Sequence, residues 1–155
     1  MSLKERLSED MKNAMRERES GKLRLSVIRM VRAAVKNAEI EVRRELGEEE
    51  ILSVLAKEIK MRRDSFVEFT KGNRPDLAQQ AQQEIDILLA YMPKQLTGDE
   101  VRSLVAQALQ ETGAASLKDL GKVMSFLTPR IKGRADGKQV SDLVKETLVG
   151  KGLDR

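Results

Sequence analysis

Lys22-Leu23-Arg24-Leu25-Ser26-Val27-Ile28-Arg29-Met30-Val31-Arg32-Ala33-Ala34-Val35-Lys36-Asn37-Ala38-Glu39-Ile40-Glu41-Val42-Arg43-Arg44-Glu45-Leu46-Gly47 is the stretch that decides the fold. Ile28, Val31, Val35, Ala38 and Val42 recur at three- and four-residue steps, the spacing of one helix face. The pattern predicts a helix from about Lys22 to Leu46, stopped by Gly47. On its other side Lys22, Arg29, Lys36 and Arg43 are seven apart, and Arg32 lies near them. A seven-residue step drifts only about 20° on an ideal helix. The cations therefore form one row about 30 Å long. Residues 16–44 hold nine basic and four acidic side chains. Such a row is either a rail for a phosphate backbone or a solvated face partly neutralised by Glu39 and Glu41.

Outward from this helix the period stays helical. Ser2 with Glu5 forms a capping box, followed by Leu3, Leu7, Met11 and Met15 on a first helix that Gly21 interrupts. Glu48-Glu49-Glu50 opens a third helix, with carboxylates where the macrodipole favours them. Leu52, Leu55, Ile59, Phe66 and Phe69 line its apolar side. It ends at Lys71-Gly72-Asn73, and Pro75 starts a fourth, striped by Leu77, Ala81, Ile85, Leu88 and Met92. Pro93 ends that helix. Beyond it three short helices are expected, near 97–112, 116–128 and 137–149, with Thr97 and Glu100 as another capping box. The reading is all-α. A helical-hairpin or four-helix N-terminal domain (1–94) precedes a small three-helix C-terminal domain (95–155), with the boundary near 93–97. Residues 1–92 carry 18 basic and 17 acidic side chains, and 93–155 carry 11 and 8, so the smaller half is the more basic per residue.

Composition excludes much chemistry. Histidine and cysteine are absent, which removes Ser-His-Asp triads, disulfides, thiolate metal sites and His-ligated zinc. Aromatic residues make up only 3% and tryptophan is absent, so base-stacking modules are not expected and any nucleic acid would be read through backbone and shape. No apolar run of about 18 residues is present, so no membrane span is expected. The N-terminus lacks an apolar h-region, and the expected compartment is the cytoplasm. No phosphate-binding glycine motif, EF-hand or spaced carboxylate cluster is found, and neither a metal nor a cofactor is expected.

Two further features stand out. Arg62-Arg63, near Glu58 and Asp64, reads as an exposed interhelical ion pair of little energetic weight. Pro129-Arg130-Ile131-Lys132-Gly133-Arg134-Ala135-Asp136-Gly137-Lys138, with Lys122, gathers five cations and one anion at the junction of the last two helices. Asp136 is a candidate cap for the final helix. The cluster is either a phosphate-binding surface or an ordinary loop whose cations favour a helix C-terminus.

Four stretches together carry a family resemblance: Ile28 to Glu41, Arg62-Arg63-Asp64-Ser65, Glu84 to Leu96 and Gly121 to Lys138. In that order they resemble the GatB/YqeY family, specifically its small stand-alone YqeY-like proteins. The resemblance implies an all-α chain whose C-terminal part is similar to the tail of the GatB component of the glutamine-dependent aspartyl/glutamyl-tRNA amidotransferase. In that enzyme the tail contacts tRNA and the chemistry belongs to a separate domain. Carried over by position, the RNA-facing residues are Lys122, Arg130, Lys132, Arg134 and Lys138, joined by Arg29, Arg32 and Lys36 from the row on the second helix.

The leading expectation is a non-catalytic tRNA-binding or amidotransferase-related accessory protein. Its expected partners are tRNA and a tRNA-modifying or aminoacylation enzyme. An alternative is a protein-interaction adaptor that uses grooves between the long N-terminal helices. A further alternative is a component with the carbon–nitrogen ligase activity (glutamine as amido-N-donor) that the family resemblance implies, although no catalytic residue is recognisable.

Overall fold

The computed structural model describes residues 1–153, and these form an all-α chain. Seven α-helices follow in order among them: α1 (Leu3–Arg16), α2 (Lys22–Val42), α3 (Glu48–Lys71), α4 (Pro75–Leu89), α5 (Gly98–Thr112), α6 (Leu120–Ile131) and α7 (Gly137–Leu153). Two compact units divide between Met92 and Pro93. That point lies two residues ahead of the expected 94/95 boundary. Pro93 and Lys94 go with the second unit, where Arg134 Nε donates to the Lys94 carbonyl (3.1 Å) and Gln95 Nε2 to those of Pro93 (2.9 Å) and Gly133 (2.8 Å).

In the first unit α2 packs against α1, α3 and α4, and α3 runs along α4. The core joins Leu3 and Leu7, Val27, Ile28, Val31 and Val35, Ile51, Leu55 and Ile59, and Ile85, Leu88 and Tyr91. Each such side chain, fully buried, stabilises the fold by about 1.5–3 kcal/mol. The Ser2–Glu5 capping box starts α1. Met15, expected in the core, is 51% exposed, and Ala14 is buried in its place. Four-residue steps advance about 40° each on a 3.6-residue helix, so the stripe has turned away by the fourth member.

The second helix ends earlier than Gly47. Arg43 adopts the left-handed conformation (φ 58°) and closes α2 after Val42. Gly47 is instead the N-cap of α3, its amide donating to Glu50 Oε1 (3.1 Å). Val42 is consequently exposed, while Leu46 folds back into the core. Phe66 and Phe69 are only half-buried, and Ile51, outside the expected stripe, is fully buried.

The second unit packs α5, α6 and α7 around Val105, Leu109, Val123, Leu127, Ile131, Val140, Val144 and Leu148. Thr97 and Glu100 cap α5, and Gly113 ends it with φ 65°. Pro129 does not end α6, which continues to Ile131. The proline lies in the last turn on the exposed side, where water can satisfy the carbonyl that loses its donor. None of the described helices is long and apolar enough to cross a membrane.

Candidate nucleic-acid interface

The sequence-predicted cations of the second unit fall into three environments. Arg130 and Lys132 stand at the C-terminal end of α6, the sign of charge that a helix C-terminus favours. Arg130 is exposed but held: its guanidinium lies 3.6 Å from the centroid of the Phe126 ring and donates to the Phe126 carbonyl (2.6 Å). Arg134 is chiefly a tie. Its Nε donates to Lys94 and its carbonyl accepts the Leu96 amide (2.8 Å), joining the 132–136 loop to the segment before α5.

Lys122 and Lys138 are different. Lys122 stands in the first turn of α6 and Lys138 in that of α7. A helix N-terminus repels cations, so helix stability does not account for either. Both are exposed, and neither forms an ion pair among the described residues. Asp136 caps α7, with Oδ1 accepting the Lys138 amide (2.9 Å) and its carbonyl that of Val140 (3.1 Å). Lys122 is not at the α6–α7 junction where the sequence suggested a single cluster. Eight residues separate it from Arg130 on one helix, about 12 Å along the axis.

In the first unit Arg29 and Lys36 project from α2 away from Val31 and Val35, Arg32 flanks that buried face, and all three are exposed. Arg43 does not extend their row, because its left-handed backbone leaves the helix. The helical row therefore runs from Lys22 to Lys36, about 21 Å rather than 30 Å. Glu39 does little to neutralise it. Its carboxylate accepts from Lys4 Nζ (2.5 Å) and from the Leu46 amide (2.8 Å). The Lys4 ammonium first, and then the Leu46 amide, hold that carboxyl below the usual glutamate range. One nitrogen of Arg32 is engaged by Met11 Sδ (2.8 Å).

Two constellations escaped the sequence reading. Arg62 is buried, not exposed. It pairs with Glu58 one turn earlier on α3 (3.3 Å) and, through Nε, with Glu84 of α4 (3.2 Å). The side chains of Arg62 and Glu58 are each only 8% exposed. The three line a cavity of about 330 Å³ walled by Met30, Met61, Phe69 and Leu77. The available signal was their spacing: Glu58 and Arg62 occupy the same face as the core residues Leu55 and Ile59. The second is a polar concavity between α1, the start of α2 and the end of α4, where the Tyr91 hydroxyl donates to Asp10. Burial first, and then that bond, push the tyrosine pKa above its usual range. Only tertiary packing brings these residues together. No group of three or more Asp and Glu among the described residues is placed to hold a metal ion.

The chain matches the family model described as Yqey-like protein over residues 4–148. It is similar to proteins named "altered inheritance of mitochondria protein 41, mitochondrial" in three fungi. The one from Pyrenophora tritici-repentis is 34% identical over 151 residues, 94% of this chain and 81% of its own length. That from Lachancea thermotolerans is 29% identical, over 92% and 77%. The Kluyveromyces lactis protein is 36% identical over 108 residues, 68% of this chain and 57% of its own. These names are mitochondrial and overturn the cytoplasmic expectation. That expectation rested on features lacking in the sequence, and their lack does not distinguish one aqueous compartment from another.

Proposed function

The chain belongs to the YqeY-like family, and from that premise we propose that it is a non-catalytic RNA-binding accessory protein that grips the phosphate backbone of tRNA through Lys122, Arg130, Lys132 and Lys138. The observation that carries the reading is the pair of exposed lysines, Lys122 and Lys138, in the first turns of α6 and α7. At each position the lysine ammonium is exposed and makes no ion pair among the described residues, so it can meet an incoming phosphate without giving up a partner. Arg134 serves this reading as the tie that holds the loop between them. Arg29, Arg32 and Lys36 form a separate basic row on the first unit, to be tested by itself. The compartment follows the relatives' names, mitochondrial and not cytoplasmic.

The mechanism is electrostatic. Each phosphate neutralised releases condensed counterions, so affinity falls with salt by about 0.7–0.9 log units per contact per decade. With so few aromatic side chains, preference comes from shape and 2′-hydroxyl contacts. The test is binding of total tRNA across a salt series, comparing wild type with Lys122→Gln/Lys132→Gln/Lys138→Gln. Micromolar binding at near-physiological salt, with a slope shallower by about 2–3 in the variant, supports the reading. Equal binding by both proteins removes it from these residues.

A second reading, a protein-interaction adaptor, is favoured by one observation. Met30 and Met61, 50% and 47% exposed, flank the cavity over Glu58, Arg62 and Glu84. Exposed methionines adapt to a partner's apolar side chains. Failure of wild type to bind tRNA, together with a native partner that co-purifies with wild type and is lost in Met61→Glu, would favour this reading. Ligase chemistry is not part of either reading. Ser65, the hydroxyl lining that cavity, donates to the Met61 carbonyl (3.0 Å).

A further inference from the structure

The concavity around Tyr91 lies wholly within the first unit and is independent of the RNA reading. Its volume is about 560 Å³. Three arginines line it: Arg6 and Arg16 from α1 and Arg24 from α2. The acids beside them, Asp10 and Glu17, are both engaged. Asp10 accepts the Tyr91 hydroxyl, and Glu17 Oε1 accepts Arg24 Nη2 (3.1 Å).

The donors are far less engaged. A guanidinium presents a fork of N–H groups, and the fold takes one nitrogen from each. Arg6 donates to the Ala90 carbonyl (3.3 Å), Arg16 to Asn13 Oδ1 (3.3 Å) and Arg24 to Glu17. Arg24 Nε is buried and makes no hydrogen bond among the described residues. A donor in that state costs free energy unless something accepts from it. Arg6 lies over the Tyr91 ring at 4.8 Å from its centroid, which orients the rest of its fork.

We infer that this concavity is a binding site for a phosphoryl group. Three cations against two engaged anions leave it net positive. Guanidinium forks match the oxygens of a phosphate in pairs. A phosphoryl group also offers more oxygens and more charge than a carboxylate, which suits it to serving three guanidinium groups at once. The phosphate of a small ester and the terminal phosphate of an RNA share this chemistry.

The pocket carries its own reporter, since Tyr91 is the only tyrosine in the chain and tryptophan is absent. Tyrosine emission of the full chain is followed at constant ionic strength during addition of inorganic phosphate, ribose 5-phosphate, ribose or acetate. The expected result is a saturable change in the millimolar range or below with the two phosphates and none with ribose or acetate. The apparent Kd should rise at least tenfold in Arg6→Gln/Arg16→Gln. Arg16→Gln alone, at an exposed position that does not endanger folding, should raise it by a smaller factor. Tighter binding of a short 5′-phosphorylated RNA than of its 5′-hydroxyl form, by competition, supports the site and makes its source nucleic acid. Equal binding of the two RNAs, with ribose 5-phosphate still saturating, supports it with a small ester as the source. No saturation by either phosphate, an equal response to acetate, or an unchanged Kd in both variants overturns the inference. None of these outcomes depends on Lys122, Lys132 or Lys138.

Discussion

A Cβ placed on Gly21 would lie 2.3 Å from the carbonyl oxygen of Ala14. The turn joining α1 to α2 thus passes directly against the α1 backbone, and Ala14 beneath it is fully buried. Gly21 is required for this approach and not for its dihedrals, which any residue could adopt (φ −98°). Gly21→Ala should destabilise the chain by about 1–3 kcal/mol, the usual cost of overpacking. Urea denaturation reads this directly. A midpoint equal to that of wild type would mean that the turn relaxes freely.

The buried Glu58–Arg62–Glu84 group makes a sharper prediction. Removing Arg62 leaves two carboxylates facing each other with no cation between them. Arg62→Met should cost about 3 kcal/mol or more. Adding Glu58→Gln and Glu84→Gln to it should recover a large part, because the damage is uncompensated charge and not lost volume. A double-mutant cycle by thermal or urea unfolding separates the two. If the triple variant is as unstable as Arg62→Met alone, packing and not charge is the cause.

Acid should weaken the corner between α2 and α3. Arg44 donates two hydrogen bonds to Glu50 (2.8 Å each), and the Gly47 amide adds a third (3.1 Å). The arginine first, and then the amide, lower the Glu50 pKa from 4.5 to about 2. A carboxyl whose folded pKa is depressed favours the fold fully above its unfolded value and loses that contribution as pH falls. The window is therefore about pH 4.5 down to 2. Carboxyl NMR of Glu50 should show the low midpoint, and Arg44→Gln should move it up toward 4.5. A midpoint already near 4.5 in wild type would show the pair open in solution.

Much of the fold was legible in the sequence because its signals are local. The capping boxes at Ser2 and Thr97, the proline at position 75 and the glycine at 113 act through bonds within four residues of themselves. The stripes through Ile28, Val31 and Val35, and through Leu55 and Ile59, report a face of one helix and need no knowledge of what covers it. Errors arose where a second element decided the outcome. Met15 sits where the four-residue stripe has turned away, and Ala14 is buried because the chain returns against it at Gly21. The second helix stopped at Val42 because Arg43 turns left-handed and Leu46 folds back. Arg62 read as a surface charge because its burial depends on Glu84 of another helix.

The candidate interfaces divide in the same way. That Lys122, Arg130, Lys132, Arg134 and Lys138 lie along one short basic stretch of chain is a property of the sequence. Only the fold separates their roles, with Arg134 tying a loop and Arg130 stacked on Phe126, while Lys122 and Lys138 face the solvent from helix N-termini. The concavity of Arg6, Arg16, Arg24 and Tyr91 had no sequence signature at all, since its parts come from separate segments of the chain. Helix identity, caps and the basic character of the C-terminal region were determined by residue order alone, because hydrogen bonds within a helix and charge per residue are short-range properties. Which charges are buried, which donors are left without acceptors, and where three guanidinium groups converge were decided by tertiary packing, which sets burial and pairing between residues far apart in the chain.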